Sequence, residues 1–150
     1  MDGSFPTGSE KMLARKGDGI GWMTFNNPER HNAVSMEMWQ AAERILTDFT
    51  NDPDVRVVII TGAGGRAFVS GADISKFESE RASEEAVNAY QAQTAKVYEL
   101  LADCPKPTIA MIQGHCIGGG TALAVTSTCG SAARRRASAC RRRSSASAIR

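Results

Sequence analysis

Three consecutive glycines, Gly118-Gly119-Gly120, constrain this 150-residue chain more than any other feature. Ahead of them Thr108-Ile109-Ala110-Met111-Ile112-Gln113 reads as a buried strand. Behind them Thr121-Ala122-Leu123-Ala124-Val125 can start a helix. Glycines at a strand-to-helix turn leave backbone N–H groups bare, and the helix N-terminus adds partial positive charge. Such donors suit a carbonyl oxygen that is gaining negative charge. The plainer alternative is a tight turn that only needs positive φ. A second donor loop upstream shifts the balance toward the first reading.

That upstream loop sits in an alternating pattern. Lys11–Arg15 and Ile20–Phe25 flank Lys16-Gly17-Asp18-Gly19, which is a hairpin signal. Asn26 to Ala33 is turn-rich. Ser35 then stands where a helix cap belongs, and Met38, Trp39, Ala42, Ile45, Leu46 and Phe49 recur at helical spacing. Val55-Arg56-Val57-Val58-Ile59-Ile60-Thr61 is β-branched and predicts a central strand buried on both faces. Ala67 to Ile74 turns toward a short helix. Ser83 caps a longer one whose inner side is Val87, Tyr90, Val97, Leu100 and Leu101, and Pro105 and Pro107 prevent its continuation. Alternating strands and helices predict an α/β fold with right-handed crossovers. Equivalent loops of consecutive units then lie side by side. The turn with Gly71-Ala72-Asp73 and the turn with Gly118-Gly119-Gly120 should therefore meet at one end of neighbouring strands, each offering an N–H to a shared oxygen.

The remaining composition excludes other classes. No apolar run approaches the roughly 20 residues of a membrane span. Residues 1–10 lack a basic region followed by an apolar one, so they read as a flexible tail rather than a secretory signal. Cys104, Cys116, Cys129 and Cys140 lack CxxC spacing and only two histidines are present, so no metal site is expected and the thiols suit a reduced, cytoplasmic setting. Gly62-Ala63-Gly64-Gly65 lacks the Lys-Ser/Thr ending of a P-loop.

Several stretches together resemble the crotonase superfamily, the enoyl-CoA hydratase/isomerase family. They are Asn27-Pro28…Asn32-Ala33, Val57-Val58-Ile59-Ile60-Thr61-Gly62, Phe68-Val69-Ser70-Gly71-Ala72-Asp73-Ile74, and Pro105-Lys106-Pro107…Gly114-His115-Cys116-Ile117-Gly118-Gly119-Gly120. The resemblance covers residues 11 to about 126 in order. It implies an α/β, crotonase-like (ClpP/crotonase) spiral of ββα units, present here in truncated form. It also implies an acyl-CoA thioester as substrate, with CoA a part of that substrate and no separate cofactor, and a homotrimer or hexamer for the full-length parent. The family's two oxyanion-hole amides map onto Ala72 and Gly119. Its CoA site maps onto Arg30, His31, Ala33, Ser70, Gly71, Asp73, Ile74, Gly118 and Ala122. For Asp73 a helix-capping role stands beside ligand contact. Arg30 and His31 read either as phosphate contacts or as plain surface, and His115 and Cys116 as packing or loop residues.

Two departures stand out. Family hydratases place a water between two glutamates, one acting as base and one as acid. At the first position this chain has Ala122, and the later Pro-Glu motif is absent. The same oxyanion hole then serves isomerisation, decarboxylation or thioester cleavage, or an inactive acyl-CoA-binding relative. The second departure is residues 127–150. Seven of the 18 basic residues and none of the 16 acidic ones fall in 126–150, leaving 11 basic against 16 acidic residues before it. This segment reads as a basic low-complexity tail, a nucleic-acid-binding arm without aromatic residues for base stacking, or the product of a shifted reading frame. Codons for Thr128-Cys129-Gly130-Ser131, started from their third bases, can spell the family's Leu-Arg-Ile, and Ser138-Ala139-Cys140-Arg141 can become Phe-Gly-Val-Pro. Nucleic acid is the remote reading. No membrane partner is expected.

Overall fold

The structure, a computed structural model, describes residues 3–73, 75, 83–132 and 138–140. Its first unit is a hairpin of β2 (Met12–Gly17) and β3 (Ile20–Phe25), with β1 (Ser4–Phe5) added along β2. Asp18 and Gly19 both take positive φ, 53° and 80°, as a two-residue turn matched to strand twist requires. Helix α1 (Met36–Asn51) follows and buries Met38, Trp39, Ala41, Ala42, Ile45, Leu46 and Phe49. Ser35 holds the cap position but makes no side-chain cap bond; its hydroxyl is buried with no partner among the described residues. The other end of α1 is held electrostatically. The Lys106 ammonium donates to the Phe49 and Asp52 carbonyl oxygens, each at 2.5 Å, where the helix dipole favours a cation.

The next two units have one plan. Strand β4 (Val57–Gly62) leads to the short β5 (Ala67–Val69) and then to α2 (Glu84–Asp103). Strand β6 (Thr108–Ile112) leads to the short β7 (His115–Cys116) and then to α3 (Gly119–Thr126). Strands β3, β4 and β6 pair in parallel within a seven-stranded sheet of order β1-β2-β3-β4-β6-β8-β9. Strands β5 and β7 pair in parallel as a separate two-stranded sheet. These are repeated ββα units. In α2 the Ser83 hydroxyl accepts from the Ala86 amide at 3.1 Å, and Tyr90, Val97 and Leu101 are buried, with Val87 and Leu100 half-buried. The short helix expected after Ile74 lies outside the described residues.

Strands β8 (Cys129–Ala132) and β9 (Ser138–Cys140) continue the large sheet, β8 parallel to β6 and β9 antiparallel to β8. The sheet therefore runs past residue 126, where the sequence suggests a boundary. Pairing asks only for backbone donors and acceptors, which any non-proline residue supplies.

One face of the large sheet carries the core. Met12, Ala14, Met23, Phe25, Val58, Ile60 and Ala110 are buried with α1 and α2. Gly21 lies in the same face because a methyl there would stand 2.7 Å from the Phe49 ring. On the opposite face, cross-strand neighbours Trp22, Ile59 and Ile109 are half-buried, and Leu13 is 48% exposed. The expectation that β4 is buried on both faces is thus corrected. Its β-branched run reflects strand propensity, and Val57 and Ile59 on that side are only half-buried.

Candidate functional site

Strands β5 and β7 aim two turns at each other. Val69 O accepts from the Ile117 amide at 3.0 Å, and the chains then separate into Ser70-Gly71-Ala72 and Gly118-Gly119. A methyl built on Gly118 would stand 3.6 Å from the Gly71 Cα, so the turns abut. Both residues hold positive φ, 113° at Gly71 and 56° at Gly118. That backbone is strained for any residue with a side chain.

Main-chain bonds determine which amides remain open. Ala72 forms an isolated parallel bridge with Val34. Val34 N donates to Gly71 O at 2.8 Å, and Asp73 N donates to Val34 O at 3.0 Å. In an extended segment successive peptide groups point to opposite sides. The Ala72 amide therefore faces away from Val34. On α3, Gly120 N donates to Ile117 O at 3.0 Å and Ala122 N to Gly118 O at 3.2 Å. Gly119, the first helical residue, keeps the orphan N–H of a helix start. Neither the Ala72 nor the Gly119 amide has an acceptor among the described residues. Of the three glycines, Gly120 has a packing role instead: its amide is bonded, and a methyl there would meet Val69 O at 2.3 Å.

The flanking residues are fixed from behind. Asp73 is 4% exposed; its Oδ1 accepts from the Ser75 amide at 3.0 Å and the Ser75 hydroxyl at 2.6 Å. This is local capping geometry. Burial pushes the Asp73 carboxyl up, but the Ser75 donors, aided by Arg30 and Lys11, outweigh it and hold the group below its ordinary value. The Ser70 hydroxyl donates to Arg30 O at 3.4 Å and joins the loop before α1 to the end of β5. Arg30 and His31 are exposed, and Ala33 is buried. His31 meets His115 edge-on at 5.9 Å between ring centroids. Cys116 is half-buried, and burial raises its thiol pKa. Ala122 is half-buried one turn along α3 from Gly119, and its methyl has no proton to transfer. The structure thus gathers Arg30, Ser70, Gly71, Ala72, Asp73, Gly118 and Gly119 around the two turns. Ile74 lies outside the described residues.

Three residues at the site have roles that sequence reasoning did not assign, although Asn32 lies in a stretch that carries the family resemblance. Asn32 is fully buried with φ of 56°. Its Oδ1 accepts from the Asn27 amide at 2.9 Å, and its Nδ2 donates to Ala63 O and Ala67 O at 2.9 and 2.8 Å. It locks the loop before α1 onto the start of β5. Trp39 and Tyr98 flank Gly119: a methyl on Gly119 would lie 3.3 Å from the Tyr98 hydroxyl oxygen and 3.5 Å from the Trp39 ring. Helical spacing identified Trp39 only as core, and Tyr98 sits beside the inner stripe of α2 with nothing in the sequence to mark it.

Two hollows lie away from these turns. One of about 380 Å³ opens between α1 and α2 at Thr47, Lys96 and Cys104, and one of about 490 Å³ lies at Phe5, Leu13 and Trp22. Among the described residues, no group of three or more His, Cys, Asp or Glu is placed to hold a metal ion, and no helix is long and apolar enough to cross a membrane.

Repeated ββα units, with two donor turns at the ends of a small second sheet, define a crotonase-like domain. The family model for enoyl-CoA hydratase/isomerase matches residues 15–137, and the chain belongs to that family. It is 36% identical over 118 residues to the mitochondrial 3-hydroxyisobutyryl-CoA hydrolase of Mus musculus, covering 78% of this chain and 30% of that protein. It is 32% identical over 116 residues to the crotonyl-CoA hydratase of Syntrophomonas wolfei, covering 77% and 44%. Among solved structures, an enoyl-CoA hydratase/carnithine racemase from Magnetospirillum magneticum superposes with a TM-score of 0.79 at 32% identity, over 87% of this chain and 48% of that one. The chain spans less than half the length of each of these relatives.

Proposed function

We propose that this chain carries the acyl-CoA-binding half of a crotonase-type enzyme, and that Ala72 and Gly119 form its oxyanion hole. The supporting observation is the pair of amides without acceptors on two abutting turns. Two fixed N–H groups stabilise the negative oxygen of a thioester enolate or tetrahedral intermediate more than they stabilise the resting carbonyl. Both turns are held by main-chain bonds, so the donors need no reorganisation when charge develops. The substrate is an acyl-CoA thioester, with CoA running over Arg30, His31, Ser70 and Gly71.

Ala122 rules out a proton transfer from that point of α3 and weighs against water addition by a glutamate pair. Isomerisation, decarboxylation or thioester cleavage fits the residues better. The same methyl favours a second reading, an acyl-CoA-binding relative without turnover. Turnover of acyl-CoA thioesters separates the two.

The hole itself is tested with butyryl-CoA carrying a ¹³C-labelled thioester carbonyl. Binding should lower its infrared stretching frequency, because two donors polarise the C=O bond. Gly119→Pro removes one N–H at a first helical position, where proline is favoured, and should reverse much of the shift. A bound thioester with an unshifted carbonyl would refute the assignment.

A further inference from the structure

Tyr98 has no part in the mechanism above, yet its hydroxyl lies 3.3 Å from where a methyl on Gly119 would stand. The phenol oxygen lies 3.4 Å from the Gly119 carbonyl oxygen. That is long for an O–H···O bond, which centres near 2.7–2.8 Å. The donor is therefore weakly used, and among the described residues its oxygen accepts no hydrogen bond, which leaves it acceptor capacity. The ring is held firmly: Trp39 meets it edge-on, with centroids 5.6 Å apart and planes at 75°. The indole N–H of Trp39 is already committed to the Tyr90 hydroxyl at 3.0 Å, and that hydroxyl donates to Val34 O at 3.0 Å. Burial, with a contribution from Tyr90, pushes the Tyr98 phenol up to about 12, so it stays protonated at neutral pH.

We propose that Tyr98 is a specificity-determining residue that recognises an oxygen substituent on the acyl chain of the thioester, through a hydroxyl set beside Gly119 by the Trp39 ring. This rests on the acyl-CoA reading. The carbonyl that Tyr98 touches and the open amide belong to one residue, Gly119, only a few bonds apart. The phenol stands 3.3 Å from where a Gly119 methyl would lie, and on a helix that bond tilts toward the N-terminal end, the end the open amide faces. A hydrocarbon chain there leaves the hydroxyl with its weak bond. A 3-hydroxyacyl chain offers it both a donor and an acceptor.

The test compares 3-hydroxybutyryl-CoA with butyryl-CoA by titration calorimetry on the full chain. The 3-hydroxy thioester should bind about fivefold more tightly, the size of one neutral hydrogen bond. Tyr98→Phe keeps the ring and its contact with Trp39, and should bring the ratio of the two affinities to about one. Equal affinities in the wild type, or a ratio unchanged in Tyr98→Phe, overturn the assignment of Tyr98 and leave the acyl-CoA reading standing. Binding of neither thioester overturns both.

Discussion

Gly118 and Gly71 face each other across the two turns, with 3.6 Å between the Gly71 Cα and the position a Gly118 methyl would take. This contact brings together segments 47 positions apart in the sequence. It also separates glycines that shape the site from those that pack it, and that distinction can be measured.

Gly120→Ala should destabilise the fold by about 1–3 kcal/mol, because its methyl would press into the Val69 carbonyl oxygen at 2.3 Å, and backbone cannot swing aside as a side chain can. Gly119→Ala, whose methyl meets the Tyr98 hydroxyl at 3.3 Å, should cost well under that. Denaturant unfolding of the two variants gives the comparison. Equal losses would mean that the start of α3 is not seated on β5 as described.

Asn32→Ala removes a buried amide that satisfies one main-chain N–H and two carbonyl oxygens. The expected loss is about 2–4 kcal/mol, from stranded polar groups and from a left-handed backbone that asparagine tolerates better than alanine. Asn32→Asp should be no better, since a carboxylate would face the Ala63 and Ala67 carbonyls without a donor. Chemical denaturation of both variants tests this.

The pattern of what the sequence revealed has a physical basis. Strands β2, β3 and β6 and helices α1 and α2 were legible because each has enough residues to show its period. Strands β5 and β7 were not, since three and two residues carry no period and their pairing is decided between distant segments. The Gly71-Ala72 and Gly118-Gly119 turns could be named from glycine chemistry and family resemblance. The open state of the Ala72 amide could not, because it depends on the Val34 bridge, whereas a bare N–H at Gly119 follows from the helix start that the sequence predicts. Tyr98 was invisible for a related reason: its neighbour Gly119 has no side chain to form a pattern with. The half-buried side of Val57 and Ile59 was misread because β-branched composition reports strand, not what lies above it.

Tyr98 should ionise near pH 12, while an unperturbed tyrosine ionises near 10. Its neutral form is favoured in the folded state. The stability this contributes is fully present below pH 10 and falls away as pH rises through 12. Ultraviolet titration of the phenolate band, with and without Tyr98→Phe, should show the late step disappear in the variant. A Tyr98 step near pH 10 would mean that the ring is not buried against Trp39.

The sheet face bearing Trp22, Ile59 and Ile109, with Leu13 at 48% exposure, should drive association of the isolated chain. Sedimentation velocity should show the weight-average coefficient rising with concentration. Leu13→Lys should weaken that rise. A species of constant size across concentrations would argue that the face is not sticky.

Two bridging strands of three and two residues set how far apart the Gly71-Ala72 and Gly118-Gly119 turns sit, and they do it with peptide groups alone. Gly120 on α3 is fixed as well, because its packing against Val69 leaves no room for a side chain. Under the function proposed above, relatives can change the bond they break while keeping the same pair of turns, so a shared backbone frame says little about a shared product.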